Sequence, residues 1–404
     1  MKLIPTKLKN RLRARKQLRS ATDYHFAISS RIQLLDLARW RAVVGEQSFF
    51  FSPEYLAMLE AAGPEGLEPR YALIADDERP LAVVCMQIVR VSLAQLGDHH
   101  GDNPGLKSKV AQRVLVGGNL LSYGMHAVCF AEGADRTALW PAVAEVLYRV
   151  RREEKLSGQT NLVVIKDFGE AEKQEAAALA GLSYTAIETE PNMVLTLPDH
   201  ISTHADYLAS LTSKYRSSIK QQVMKPFEAA GYTLEVLDDV ASAADTLQAL
   251  YLAVHENASL RPFTLDASYW PALKATAGPQ VTFHIARKEG GIDGFVATLR
   301  DGPVGYVYHI GFNRDVANQG VPLYLRLLHA ALAQAIDYGC RRISFGRTAL
   351  EPKARLGCQP EPTHVWLRHR QPLLNQVMRP LLRRIQHEEA PEYQPFKKTS
   401  GQVE

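Results

Sequence analysis

The sequence predicts a mixed α/β fold in which one unit of strands and helices is written twice. Two observations lead to this prediction. Segments with strand and helix patterns recur in the same order in both halves of the chain. The 404 residues are also many for a single hydrophobic core, which favours two domains. A hydrophobic share of 46% with 22% charged residues is typical of a globular protein.

Each half begins with two strands joined by a polar turn. Tyr71–Ser92 has this pattern, and Phe283–Arg300 repeats it around Gly290 and Gly291. The first half continues with a strand, a helix, a buried strand and a last strand at Tyr123–Phe130, Thr137–Glu154, Asn161–Lys166 and Met193–Leu197. The second half continues in the same order at Val304–Phe312, Leu323–Tyr338, Arg341–Phe345 and His364–Arg368. The first copy also holds an extra stretch, about Leu93–Leu121, between its second and third strands.

The boundary between the copies is predicted at Pro198–Ser202, where LPDHIS separates a strand from a new helix. The predicted organisation is a basic N-terminal arm and helix over 1–45, a first domain over 46–200, a second domain over 201–370, and a C-terminal helix and tail over 371–404.

Charge and cysteine usage indicate the compartment. The first 20 residues carry many Lys and Arg residues and no acid, although the formal net charge is only +4. With its interspersed leucines, this arm could lie on anionic lipid or bind RNA phosphate. The apolar runs are too short to cross a bilayer, and the four cysteines form no CxxC pair. We therefore expect a cytoplasmic protein, peripheral on the inner membrane if the arm binds lipid.

Two motifs in the second half resemble a known family. A helix predicted over Asp206–Glu228 contains LTSKYR, and the segment FGRTALEPKARLG follows a later strand. Both are similar to GNAT acyltransferases of the FemAB-like branch, and more specifically to BioF2-like acetyltransferases. The resemblance covers about Asp206–Arg368, with a fainter match over the first half. It implies tandem GNAT-like domains in a FemAB-like architecture, and transfer of an acyl group from a thioester to an amine.

The resemblance places the acyl donor at the start of the helix after the third strand, where N–H groups and the helix dipole favour a pyrophosphate. In the second copy this place is RDVANQGVPLY, from Arg314 to Tyr324. The residues expected to bind the donor are Arg314, Asn318, Gln319, Gly320, Tyr324 and Arg347. The corresponding EGADR of the first copy contains two acids. The chemistry is therefore assigned to the second domain, with the first as a scaffold.

Attack of an amine on a thioester needs a proton acceptor and a group that stabilises the departing thiolate. His309 is the candidate base, because it lies on the strand that lines the cleft in GNAT folds and imidazole titrates near neutral pH. A histidine packed in the sheet is the alternative. Lys353 is the candidate to stabilise the departing thiolate or to pair with a phosphate; the alternative is a surface salt bridge to Glu351 or another acid. Glu256 is a third catalytic candidate; the alternative is that it is simply a solvated residue at the end of a helix.

The loop ASLRPFTLDASYW is expected to cover the acceptor amine, with Arg261, Phe263 and Tyr269 shaping its site. The segment DHHGD, from Asp98 to Asp102, groups metal-ligating residue types. Its spacing matches no closed zinc pattern, so no metal is expected.

The predicted function is an N-acyltransferase that uses acyl-CoA or an acyl carrier protein as donor, without a permanently bound cofactor. Its acceptor is a small-molecule or lipid amine; bacterial ceramide synthases, which acylate a sphingoid base, are an example within the resemblance. One alternative is a Fem-like transferase that uses aminoacyl-tRNA in peptidoglycan synthesis. The sequence contains no coiled-coil heptads for a tRNA-binding arm, so nucleic acid is not the expected partner. Another alternative is a non-catalytic GNAT-like binding protein.

Overall fold

In the computed structural model, residues 23–92, 111–256, 263–375 and 391–397 are described, and they group into two compact units. Unit 1 holds the described residues of 23–60, 65–190 and 362–375, and unit 2 those of 61–64, 191–361 and 391–397. The basic arm at 1–20, the segment Asp98–Asp102, Arg261 and most of the predicted C-terminal helix lie outside the described residues.

The elements of the first part of the chain are β1 (His25–Ser29), α1 (Leu37–Val44), α2 (Pro53–Ala62), β2 (Glu68–Ala75), β3 (Pro80–Ser92), β4 (Ala111–Gly117), β5 (Val128–Phe130), α3 (Arg136–Glu153), β6 (Thr160–Phe168), α4 (Glu170–Glu175) and α5 (Ala178–Gly181). β7 (Thr185–Thr196) then leads into unit 2.

The elements that follow are α6 (His204–Ser210), α7 (Ser213–Ile219), a π-helical segment (Lys220–Met224), α8 (Lys225–Ala229), β8 (Thr233–Val236), α9 (Ala244–His255), α10 (Tyr269–Ala277), β9 (Val281–Lys288), β10 (Gly291–Asp301), β11 (Val304–Phe312), α11 (Arg314–Asn318), α12 (Leu323–Asp337), β12 (Arg342–Ser344), α13 (Leu350–Arg355) and β13 (Gln359–His369).

The two units repeat one pattern of strand pairing. In unit 1 the order is β1-β2-β3-β4-β6-β13, and β4 runs parallel to β6 while the other pairs in this order are antiparallel. In unit 2 the order is β8-β9-β10-β11-β12-β7, and β11 runs parallel to β12. Each unit therefore contains an antiparallel edge strand, β1 or β8, followed by a repeat of five strands: an antiparallel hairpin, a third strand, a parallel fourth strand and an antiparallel fifth. The predicted mixed α/β fold is confirmed.

The last strand of each predicted copy pairs in an unexpected place. In β7, Val194–Thr196 pair with β12, and both belong to unit 2. In β13, His364–His369 pair with β6, and both belong to unit 1. Unit 2 therefore differs at both ends from the predicted domain 201–370. The unpaired backbone N–H and C=O groups of a fourth strand can bind the last strand of either half, and the sequence pattern does not specify which last strand binds.

The third strand of unit 1 is interrupted. β4 pairs with β3 from Ala111 to Gly117, and β5 resumes the pairing at Val128, so residues 118–127 leave the sheet. The strand predicted over Tyr123–Phe130 is wrong in its first five residues, and β4 lies within the stretch predicted as an insertion. The strand was missed because Arg113 is a charged residue within it, and a charged residue is not expected in a buried strand. In the structure Arg113 is buried because it is paired with the carboxylates of Glu68 and Glu154.

The helix predicted over Asp206–Glu228 is divided after Ser210. Leu211 forms an isolated antiparallel bridge with Phe396. The N–H of Thr212 donates to the carbonyl oxygen of Pro395 over 2.8 Å, and the N–H of Lys397 donates to that of Ser210 over 2.9 Å. Backbone groups of Ser210 and Thr212 that a continuous helix would have paired internally are thus hydrogen-bonded to the distant segment 395–397.

Each unit has its own core. In unit 1, α3 contributes Trp140 and Leu147 to a cluster that includes Trp366 of β13. In unit 2, α12 contributes Leu327 and Leu332 to a cluster on the sheet. Among the helices of the described ranges, none combines the length and the hydropathy that crossing a bilayer requires.

Candidate active site

His309 lies on β11 beside an irregularity of the sheet. Ala297 of β10 faces His309, whereas Thr298 faces Val307, so Tyr308 is an extra residue on β11. A bulge of this kind changes the direction of the side chains around it. The rings of Tyr308, Tyr269 and Trp270 surround the imidazole, with centroids 4.1, 5.4 and 5.4 Å from that of His309. We call these four residues the His309 cluster.

Hydrogen bonds hold the His309 imidazole in place. Its Nε2 lies 3.0 Å from the hydroxyl oxygen of Tyr269, which lies 3.3 Å from the hydroxyl oxygen of Tyr308. Burial lowers the pKa of His309 to about 3. The expectation that this imidazole titrates near neutral pH is therefore wrong, because an apolar surrounding disfavours its charged form.

Helices α9 and α10 build the other side of the His309 cluster. Trp270 Nε1 donates to Gln248 Oε1 over 3.1 Å, which joins α10 to α9. His255, at the end of α9, is held by the hydroxyls of Tyr251 and Thr264, at 3.1 and 3.3 Å.

The predicted acceptor residues are only partly brought together. Tyr269 is fully buried and contacts His309, whereas Phe263 is half-buried in the loop before α10. Glu256 is the exposed residue after α9, next to the undescribed residues 257–262 that include Arg261. Tyr269 thus contacts the imidazole, and its place at the acceptor site stays a prediction.

Gly311 of β11 allows α9 to approach the sheet. A Cβ at this position would lie 2.5 Å from Phe295 Cε1 and 2.7 Å from backbone atoms of Leu250 and Tyr251. Real Cβ atoms do not come this close to backbone, so a side chain at Gly311 would displace α9. The placement of α9 thus depends on this glycine.

The predicted donor loop follows β11. The side chain of Asn313 accepts from the N–H groups of Asp315 and Val316, and its amide donates to Asp293 Oδ1. Arg314, Asn318, Gln319 and Gly320 are exposed, and Gly320 has a φ of +96° that favours glycine.

Helix α12 begins beyond this loop without a side-chain cap at Pro322. Tyr324, in its first turn, is half-buried, with its ring centroid 5.8 Å from that of Phe312. An uncapped first turn directs N–H groups and the positive end of the helix dipole outward.

A constrained turn joins β12 to α13, the helix that carries Lys353. The N–H of Gly346 donates to Asn192 Oδ1 over 3.2 Å. Arg347 follows and is half-buried, and Ala349, just before α13, has a left-handed φ of 52° that is unfavourable for a residue with a Cβ. This turn fixes the direction in which α13 starts.

Lys353 on α13 is only 3% exposed. Within the four described ranges, no hydrogen-bond acceptor or carboxylate lies within bonding distance of its ammonium group, whereas Glu351 pairs with Arg355 over 2.7 Å. Burial lowers the pKa of Lys353 from 10.5 to about 8, and the neighbouring Cys358 opposes this effect. The alternative of a salt bridge between Lys353 and Glu351 is therefore wrong.

The segment 391–397, which the sequence did not connect to the site, fastens α13. The Tyr393 hydroxyl donates to Glu351 over 3.0 Å, and the Arg355 guanidinium lies over the Tyr393 ring. A Cβ at Gly357 would meet the Phe396 ring at 2.3 Å. No sequence signal in EYQPFKK identifies these contacts, since the pairing depends on tertiary structure.

Comparison with known proteins identifies the family of the second half. Residues 213–353 match the profile of the acetyltransferase (GNAT) domain. This part of the chain is a GNAT domain. A search of the curated proteins found no match.

Solved structures similar to the chain include the crystal structure of FemX, at 12% identity and a TM-score of 0.51, which covers 87% of this chain and 99% of FemX. A tandem GNAT protein from the clavulanic acid biosynthesis pathway has 13% identity and a TM-score of 0.49, and covers 86% and 99% of the two chains. The C-terminal domain of a putative lysylphosphatidylglycerol synthetase from Agrobacterium fabrum has 10% identity and a TM-score of 0.48, and covers 85% and 94%.

The second half of the chain thus contains a GNAT acetyltransferase domain, and the likeness to FemX confirms the FemAB-like fold. The GNAT domain contains the predicted donor loop, β11 with His309, and Lys353 at its last matched position. The Tyr308 and Trp270 rings were missed from the sequence, although the aromatic residues adjacent to His309 and Tyr269 were a usable signal.

Proposed function

We propose that the GNAT domain transfers the acyl group of an acyl-CoA to a primary amine, with Lys353 as the acid that protonates the departing thiolate. The burial of the Lys353 ammonium, with its pKa of about 8, carries this proposal. An alkyl thiol has a pKa of about 8.5, so a proton passes between these two groups at little free-energy cost. At pH 7 the lysine holds the proton that the thiolate needs.

His309 has an orienting role in this proposal. Its Nε2–H donates to the Tyr269 hydroxyl, which in turn donates to Tyr308. This arrangement leaves the lone pair of Nδ1 to accept a hydrogen bond from the acceptor amine. Because the pKa of His309 is about 3, the imidazole stays neutral and directs the nitrogen of the amine without storing a proton. The proton that this nitrogen loses passes through solvent to the Lys353 amine, which has given its own proton to the thiolate.

The start of α12 supports a donor with a pyrophosphate. Its first turn has no side-chain cap, and it is preceded by the exposed Arg314, at the start of α11, and by the exposed Gly320. Backbone N–H groups and the helix dipole favour phosphate at such a place. In the proposal unit 1 is a scaffold, because its EGADR segment is acidic and its Asp135 caps α3.

The test is amine-dependent thiol release from acyl-CoAs of short and long chain, with amines that include a sphingoid base. Lys353→Met is expected to lower the rate at least about 100-fold, as for loss of a group that stabilises the transition state. Lys220→Met removes an exposed lysine of the same unit and is expected to keep the rate within about twofold.

The same assay separates the possible donors. Thioesters of acyl carrier protein and an aminoacyl-tRNA replace acyl-CoA in parallel reactions. Equal amine-dependent release by the wild type and Lys353→Met would contradict the role of the lysine. If product forms from aminoacyl-tRNA and from none of the thioesters, the donor is aminoacyl-tRNA and the proposed acyl-CoA donor is wrong.

A further inference from the structure

Unit 1 contains a cavity that has no part in the proposed acyl transfer. It lies between α2 and the hairpin of β2 and β3, and its lining includes Phe50, Leu56, Leu59, Tyr71, Cys85 and Gln87. Counted to its open mouth, the cavity has a volume of about 350 Å³, near the lower limit for small-molecule sites. At roughly 30 Å³ for a group the size of water, it holds at most about 12 non-hydrogen atoms.

Residues 118–127, which leave the sheet between β4 and β5, begin at the wall of this cavity. Gly118 and Asn119 belong to its lining. The N–H of Gly118 donates to the carbonyl oxygen of Cys85, and the N–H of Cys85 donates to that of Ala127, both over 2.9 Å. Because residues two apart on a strand face the same side, Cys85 and Gln87 lie on one face of β3. That face is covered by the departing chain and by α2.

Lys166 and Asp167 of β6 hold the departing chain in place. Lys166 Nζ donates to the carbonyl oxygens of Asn119 and Ser122, over 2.8 and 2.7 Å, and pairs with Asp167 over 2.5 Å. Asp167 Oδ2 also accepts from the N–H of Gly124 over 3.2 Å. The left-handed φ of 64° at Asp167 is strained, and these contacts compensate the strain. The wall is thus fixed by the protein's own contacts, as in a preformed site.

Gln87 provides an unused hydrogen-bond donor in the lining. The residue is 5% exposed, and its Oε1 accepts from the N–H of Leu120 over 2.7 Å. Because that N–H can only donate, the oxygen of the amide is the bonded end and the NH₂ group is the other end. Within the four described ranges, no acceptor lies within hydrogen-bonding distance of Nε2. A buried donor without a partner is costly, so a ligand oxygen at this place is favoured.

The other polar groups of the lining are already paired or neutral. Asn119 Oδ1 accepts from the N–H of Leu121 over 2.9 Å, and its Nδ2 donates to the Tyr55 hydroxyl over 2.8 Å. Burial raises the pKa values of Tyr71 and Cys85, so both are neutral at pH 7. The described residues that line the cavity include no Lys, Arg, His, Asp or Glu. The charge of an ionised ligand would therefore have no counter-charge in the lining.

We propose that this cavity binds a neutral acyl group, with its alkyl chain against Leu56 and Leu59 and its carbonyl oxygen accepting from Gln87 Nε2. A neutral carbonyl pairs the donor without bringing a charge into the cavity, and the apolar side chains favour a hydrocarbon chain. A chain of about eight carbons with its head group fits the available volume. The site shares no residue with the His309 cluster or with Lys353, so this proposal and the proposed acyl transfer can fail independently.

The test is calorimetric titration of the full chain with octanamide, a neutral probe that has an alkyl chain and a carbonyl oxygen. We expect saturable binding by the wild type with a Kd below about 1 mM. Gln87→Met removes the donor at nearly constant side-chain length and should raise Kd at least about fivefold. Leu59→Phe enlarges a side chain of the lining and should raise Kd at least about tenfold.

Two sets of controls accompany this titration. Gln159→Met is the matched variant, because it removes an exposed glutamine of the same unit and is expected to leave Kd unchanged. Octanoate and octylammonium carry a charge on a chain of the same length, and each should bind at least about tenfold more weakly than octanamide. Circular dichroism and the Tm without ligand establish that each variant folds.

Three results would overturn the proposal: no saturable binding by the wild type up to about 1 mM octanamide, equal Kd values for Gln87→Met, Leu59→Phe and Gln159→Met, or octanoate binding as tightly as octanamide. Once binding is established, competition identifies the source of the acyl group. Displacement of octanamide by octanoyl-CoA indicates the acyl chain of a thioester donor. Displacement by monooctanoylglycerol indicates a lipid ester, and displacement by neither indicates a free acyl amide.

Discussion

Replacing Lys353 by methionine is expected to stabilise the folded protein at pH 7 while removing its activity. Burial lowers the pKa of Lys353 from 10.5 to about 8. One pKa unit corresponds to about 1.4 kcal/mol, so the buried ammonium destabilises the folded state by about 3 kcal/mol at pH 7. Methionine has a similar length, fits an apolar surrounding and carries no charge.

The effect has a defined pH dependence. Below pH 8 the lysine is protonated in both the folded and the unfolded state, and the full cost is present. Between pH 8 and 10.5 the folded state releases its proton first, so the cost decreases as the pH rises. The wild type should therefore approach the stability of Lys353→Met as the pH increases through this range.

Urea unfolding at pH 7 and near pH 10, followed by circular dichroism, measures both effects. Lys353→Met should exceed the wild type by about 3 kcal/mol at pH 7 and by much less near pH 10. Lys220→Met, which removes an exposed lysine, should match the wild type at both values within about 0.5 kcal/mol. A Lys353→Met protein that is less stable at pH 7, or whose advantage is the same at both pH values, would refute the reasoning.

Three further outcomes are expected. Gly311→Ala should lower the free energy of unfolding by about 2 kcal/mol, because its Cβ would lie 2.5 Å from Phe295. Gly291→Ala is the control and should change this free energy little in the same urea titration, because its Cβ would lie 3.5 Å from the nearest atom. The pH profile of kcat/KM should show no ionisation of His309 between pH 6 and 7, and an inflection there that is absent from His309→Gln would contradict its pKa of about 3. Tyr269→Phe should lower kcat five- to tenfold with an unchanged KM for the donor, since it removes about 1 kcal/mol of support for the imidazole; an unchanged kcat would count against that contact.

The repeated order of elements was predictable because it follows from local pattern. The strand Val304–Phe312 has the predicted bounds, and α12 ends one residue before the predicted end at Tyr338. The partners of the last strands were not predictable, since pairing of β13 with β6 depends on contacts between residues distant in the chain. The interruption after β4 was missed for a similar reason, because Arg113 is neutralised by carboxylates that only the fold brings near.

Residue types at the site were predictable, whereas their environments were not. The sequence indicated His309, Tyr269 and Lys353, but their burial determines what they can do. An imidazole expected to titrate near pH 7 stays neutral in that range, and a lysine for which a surface salt bridge was the alternative is buried.

The origin of β13 affects how the protein matures during synthesis. Unit 1 receives Trp366 of this strand into its core, yet a ribosome makes these residues only after the sheet of unit 2 is complete. Until then the edge of β6 has no β13 to pair with and is open to strands of other chains. A nascent or truncated chain that ends before residue 362 should therefore depend on chaperones, and the first unit should reach its native state only long after its other strands have been made.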